Sequence, residues 1–122
     1  MDLEEPVTQL IVQFRIHGHG SIRDLDFRHH VEDVLQAALQ EDDLGMVDGG
    51  DIGSGSVNVF AFVDPDRWEA AWAAVRSKLA DMELLQRAVV ARQVEDADPE
   101  VLWPEGTGQE FRYWEEPHNY LA

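Results

Sequence analysis

Residues 47–65 read V-D-G-G-D-I-G-S-G-S-V-N-V-F-A-F-V-D-P. Gly49, Gly50, Gly53 and Gly55, with Ser54 and Ser56, lie between Asp48 and an alternating apolar run that stops at Asp64-Pro65. Glycine reaches positive φ at little steric cost, so G-S-G at 53–55 marks a hairpin turn. From Ser56 to Val63 the chain is a strand with two apolar faces: Val57, Val59, Ala61 and Val63 on one, Phe60 and Phe62 with Asn58 on the other. Such a strand belongs inside a sheet with something covering each side. Asp64 then caps a helix that opens on Pro65, where a missing N–H is harmless. Hairpin, strand and helix start, in that order, decide the architecture.

Upstream, residues 8–17 alternate, with Leu10, Val12, Phe14 and Ile16 on one face and Ile11, Gln13, Arg15 and His17 on the other. This predicts a first strand. G-H-G-S turns the chain, and Ser21 stands three residues before Asp24, a loose capping box. Phe27, Val31, Val34, Leu35, Ala38 and Leu39 recur at helical spacing, which predicts an amphipathic helix ending near Glu41. Residues 44–52 form a short, glycine-interrupted second strand. Downstream, Trp68, Ala71, Trp72, Val75, Leu79 and Met82 make the core stripe of the second helix, and residues 87–95 form a fourth strand. An acidic, proline-containing break follows at 96–100. Val101–Trp103 and Gln109–Trp114 then form a terminal hairpin around P-E-G-T-G, or only an arm.

The order β-α-β-β-α-β is that of a ferredoxin-like α+β fold: a four-stranded antiparallel sheet, two helices on one face, and a C-terminal arm or hairpin. One domain spans 1–122, with its core at about 8–95 and an acidic segment at 96–122. The second face of the sheet carries Ile11, one of the two apolar sets of the third strand, and Val89 or Val90, too apolar to meet water. Either the terminal segment with Trp103, Phe111 and Trp114 covers it, or a second copy does, as a homodimer or a dimeric barrel enclosing a ligand.

Composition narrows the function. Acids outnumber bases 25 to 9, for a formal net charge of −16. A surface of that sign repels phosphate backbones and anionic lipid, so neither nucleic acid nor a membrane is an expected partner, whereas a basic protein is. Solubility alone is the bland explanation. Residues 95–122 hold eight acids against Arg112. There is no cysteine, so disulfides, thiolate metal sites and a cysteine nucleophile are excluded, in keeping with a reducing cytoplasm. M-D-L-E-E-P has no basic or apolar leader pattern, and no apolar run nears the roughly 18 to 20 residues that span a bilayer. Lys78 is the lone lysine beside eight arginines, a bias for which the sequence offers no use.

No catalytic constellation emerges. His17 and His19 form an H-x-H pair, a spacing metal sites use, with Asp24 or Asp26 as a further ligand; yet Gly18 and Gly20 suggest that the strand has ended there, and His29 and His30 supply no third position. Asp48 and Asp51 miss the calcium-loop pattern and read more simply as turn-bonding acids beside Ser54. G-S-G-S-V-N lacks the helix and lysine of a phosphate loop, and no serine sits in a nucleophile elbow. Asn58, set among Val57, Val59 and Phe60, must find hydrogen-bond partners; it either pins the turn or contacts a ligand. Trp68 and Trp72 read as core, Trp103 and Trp114 as partner-facing anchors.

The D-G-G-D-I-G-S-G-S-V-N-V-F hairpin, with D-P and an amphipathic helix after it and L-W-P-E-G later, resembles a pattern in small bacterial α+β proteins of unassigned role, over about residues 8–105. In class, though not in motif, the chain is similar to acidic immunity proteins that neutralise polymorphic toxins. Two functions are expected. One is a non-enzymatic module docking a basic partner through Glu100, Trp103, Glu105, Glu110, Trp114, Glu115 and Glu116. The other is small-molecule or metal binding at the glycine-rich turn by Asp48, Asp51, Ser54, Asn58 and His17. Neither requires a cofactor.

Overall fold

The structure, a computed structural model, describes residues 7–16, 18, 20–53, 55–106, 108, 110 and 111. The elements run β1 (Thr8–Arg15), α1 (Ile22–Gln40), β2 (Gly45–Gly53), β3 (Ser56–Val63), α2 (Trp68–Asp81), β4 (Ala88–Val94) and β5 (Glu100–Trp103), with single 3₁₀ turns before α2 and β4. The sheet order is β2-β3-β1-β4-β5 and each neighbouring pair is antiparallel. β1 is central: Val12 faces Val59 on one side and Val90 on the other.

The expected four-stranded βαββαβ, ferredoxin-like sheet is therefore corrected to a five-stranded βαββαββ sheet. The physical cause lies in the E-D-A-D-P stretch, which is a tight reversal instead of a break. Glu95 adopts φ 52, the Ala97 N–H donates to the Val94 carbonyl (3.0 Å), and Gln93 Nε2 donates to the Ala97 carbonyl (2.9 Å). The chain then returns beside β4, with Arg92 facing Glu100 and Ala91 facing Val101. The first limb of the expected terminal hairpin is thus β5, paired with β4; most of the second limb lies outside the described residues.

Local chemistry places the helices. Ser21 caps α1, its Oγ accepting from the Asp24 N–H at 3.2 Å, and Asp64 Oδ1 accepts from the Asp66 N–H at 3.0 Å where the α2 segment begins. From α1, Val31, Leu35 and Leu39 face the sheet; from α2, Trp68, Ala71, Val75 and Leu79 do. They close over Leu10, Val12, Phe14, Val59, Ala61, Val63, Ala88 and Val90 as one apolar core. Phe14 meets Phe27 edge-to-face, with ring centroids 4.9 Å apart.

β2 is an edge strand, and its glycines explain how it is accommodated. The register slips between Val47 and Gly50, with Gly49 at φ +98 inside the bulge. A Cβ on Gly50 would collide with the Asn58 carbonyl and crowd Glu32 Oε2 (3.1 Å) and Arg28 Cδ (3.2 Å). Those two α1 residues form an ion pair (Nε to Oε2, 3.1 Å) lying over the bulge. Arg28 also donates to the Gly50 carbonyl (3.4 Å), and Gln36 Oε1 accepts from the Val47 N–H (2.9 Å). Helix side chains thus occupy backbone groups that an edge strand would offer to another chain. Gly50→Ala is expected to lower unfolding free energy by about 1–3 kcal/mol in urea titration, while Gly53→Ala, whose Cβ would meet open space, stays within about 0.5 kcal/mol. Equal effects at the two positions would contradict this packing.

Candidate functional site

The sheet face away from the helices is built in rows across the strands. Met46, Phe62, Gln9 and Gln93 form the first row; Phe60, Ile11, Ala91 and Val101 the second; Asp51, Asn58, Gln13 and Val89 the third. Each row has a different fate. In the second, Ile11 and Ala91 are fully buried beneath Phe111, itself only 8% exposed, with Phe60, Val89 and Val101 around them. The C-terminal segment therefore reaches over this face at Phe111, within a single chain.

The third row is a buried polar network. Gln13 and Asn58 are 1% and 2% exposed, and Gln13 Nε2 donates to Asn58 Oδ1 at 2.9 Å. Asn58 Nδ2 donates to Asp51 Oδ1 (3.0 Å) and to Ser56 Oγ (3.2 Å). Both amide hydrogens and the carbonyl oxygen of Asn58 are thereby engaged, binding β1, β3 and β2 together. Of the glycine-turn candidates, the structure brings together Asp51 and Asn58 only. Asp48 is exposed in the bulge and forms no hydrogen bond or ion pair among the described residues; Ser54 and His17 lie outside them. Among the described residues no group of three His, Asp or Glu is placed to hold a metal ion. His29 and His30 are exposed on α1. Gln13 was not singled out by sequence: its partner is 45 positions away, and no local pattern signals it.

The expected partner-binding set is dispersed. Trp103 points inward: its indole Nε1 donates to the Leu85 carbonyl at 2.9 Å and its ring packs against the main core. Arg76 lies 4.7 Å over that ring and pairs with Glu105 at 2.8 Å. Glu100 and Glu110 are exposed; Trp114, Glu115 and Glu116 lie outside the described residues. Trp103 is thus tied into the fold as a clamp and is only half-buried.

Arginine usage acquires a structural meaning. Arg76 stacks on Trp103 and Trp72, Arg87 on Phe14 and Phe27 (5.9 and 5.2 Å), and Arg92 on Trp68 (4.7 Å). Arg28 and Arg67 donate to backbone carbonyls, Arg67 to Asp42 O at 2.8 Å. A planar, weakly hydrated guanidinium suits these seams and an ammonium does not. The acids are deployed differently. Every described carboxylate except Asp24 and Glu32 belongs to an exposed residue, and Glu32 and Glu105 are held in ion pairs. Three acids, Asp43, Glu83 and Glu95, sit at positive φ, where glycine is preferred.

Concavities among the described residues include the following two. The larger, about 620 Å³, lies at the start of α2 and mixes signs: Asp66, Arg67, Glu69 and Arg92 line it beside Trp68. The smaller, about 360 Å³, lies at the first-row corner and is lined by Asp43, Leu44, Gly45, Met46, Phe62, Val63 and Asp64. There Met46 and Phe62, paired across β2 and β3, are 59% and 38% exposed.

The chain matches no protein-family model, no curated protein and no solved structure. Among the described residues no helix is long and apolar enough to cross a membrane. Asn58→Leu is expected to leave Gln13 and Asp51 short of partners and to cost about 1–3 kcal/mol in urea unfolding. A variant with the parent's midpoint would remove the network from the list of structural ties. Because the amide is saturated internally, zinc, calcium and magnesium salts should leave the melting temperature unchanged; a reproducible upward shift would reinstate the metal-binding expectation.

Proposed function

We propose that this chain is a non-enzymatic binding module that captures a basic protein, an inhibitor of the immunity type being its most specific form. One observation carries the reading: five of the seven described arginines are engaged by aromatic rings, carbonyls or a carboxylate, while nearly every described carboxylate belongs to an exposed residue. Arg28, Arg67, Arg76, Arg87 and Arg92 are held by aromatic rings, carbonyls or a carboxylate. The exposed carboxylates make the surface strongly negative, in line with the −16 total. Such a field accelerates encounter with a positive partner and discriminates against anionic ones. Acids at three left-handed positions point the same way, since each keeps charge where glycine would relieve backbone strain.

Membership of the small bacterial α+β group that the hairpin resembles, and a cytoplasmic address suggested by the absence of cysteine, are parts of the same proposal. A small-molecule reading finds less support, because the polar groups it would use at Asn58 and Asp51 are already bonded to one another.

The test is capture by the immobilised full chain from a lysate, with a neutral domain of similar size as control. The expected result is a specifically retained protein of basic composition whose retention weakens steeply as salt shortens the Debye length from about 10 Å at 0.1 M towards about 3 Å at 1 M. A retained partner indifferent to salt, or the same proteins on both resins, would contradict steering by the acidic surface.

A further inference from the structure

We propose that the Met46–Phe62 corner of the open sheet face is the docking site for a cationic segment of a protein partner, in which an apolar side chain is flanked by lysine or arginine. This rests on the reading of the chain as an acidic binding module and gives that module an address.

Among the described residues, the cover of the open face gives out at this corner. Phe111 shields the second row and the amide network fills the third, but Met46 and Phe62 remain exposed as a cross-strand apolar pair. A cleft of about 360 Å³ is of a size for an inserted side chain or two. Its floor includes Leu44 and Val63 from the buried core, so the apolar anchors stand on a rigid base. Methionine adds a surface that adapts to different apolar partners.

The rim selects for charge. Asp43 and Asp64 line the cleft, and among the described residues no lysine, arginine or histidine does. Glu41 and Asp42 are exposed in the adjoining turn, and Asp66 lies just beyond Asp64. The neighbouring cation, Arg67, is committed to the Asp42 carbonyl. An apolar centre with an acidic rim is complementary to an apolar residue between bases. A second copy of this chain is a poor occupant, since it would bring another −16 against the same carboxylates. Addition of a partner strand to β2 is also impeded, because Gln36 and Arg28 already bond Val47 and Gly50 at that edge. The contact is therefore made by side chains.

Fluorescence anisotropy of the full chain with two labelled peptides tests this. One alternates lysine and leucine; the other alternates lysine and glycine at equal length and charge. The parent should bind the first more tightly, and Met46→Ser with Phe62→Ser should weaken it by about ten-fold or more and erase the preference. Asp43→Gly should raise the melting temperature, because glycine suits φ 55, yet weaken binding by about two- to five-fold. Glu83→Gly, at φ 60 on the other helix end, should raise the melting temperature and leave affinity unchanged. A variant that gains stability while losing affinity cannot be dismissed as misfolded. Parent-like affinity in the corner variants would overturn the docking site while leaving the acidic module standing. Failure of both peptides to bind the parent at low salt would overturn both. A dimer in sedimentation that the Met46/Phe62 variant abolishes would put a second copy in the cleft and overturn the proposal.

Discussion

β1 is buried on both faces and bonded on both edges. Leu10, Val12 and Phe14 sit under the helices; Ile11 and Gln13 sit under the opposite cover, and all five are at most 1% exposed. Burial of aliphatic side chains is worth about 1.5–3 kcal/mol each, so a strand with none facing water is a large fraction of the stability of a small domain. The two faces are closed by different means. One has a helical layer. The other has Phe111 over Ile11 and Ala91, and a saturated amide network in the next row. That second solution is local, and among the described residues it ends before the Met46–Phe62 corner.

Charge is partitioned along the same lines. Guanidinium groups stack on Trp68, Trp72, Trp103, Phe14 and Phe27 at the seams between helices, sheet and C-terminal strand. Carboxylates take the outside, even at backbone positions that favour glycine. Stability alone would place glycine at those positions. The arrangement makes sense if negative charge on the surface is itself the useful product of the fold.

The periodic elements were legible because their signal is local. β3 begins and ends at Ser56 and Val63 as its alternation indicates, and the Ser21 and Asp64 caps form as their spacing suggests. What escaped the sequence is nonlocal. β5 is expected only as one limb of a terminal hairpin or as an arm, because four residues after an acidic stretch carry little signal for joining the main sheet; its pairing depends on the Glu95–Ala97 reversal and on Trp103 reaching Leu85, 18 positions away. For the same reason Trp103 read as a surface anchor: its flanking acids are visible in sequence and its hydrogen bond is not. Asn58 was rightly seen to need partners, but Gln13 was hidden in the alternation of β1. The preference for arginine over lysine became intelligible only with the aromatic rings in place.

Burial of β1 on both faces within one chain is the claim on which the remaining free surface depends. Residue-resolved amide hydrogen exchange, followed over a wide range of protein concentration, measures it directly. The expected result is that Leu10 to Phe14 exchange only through global unfolding, at rates independent of concentration. Fast exchange along β1, or protection that grows as the protein is concentrated, would show that the open face is sealed by a second copy or left wet.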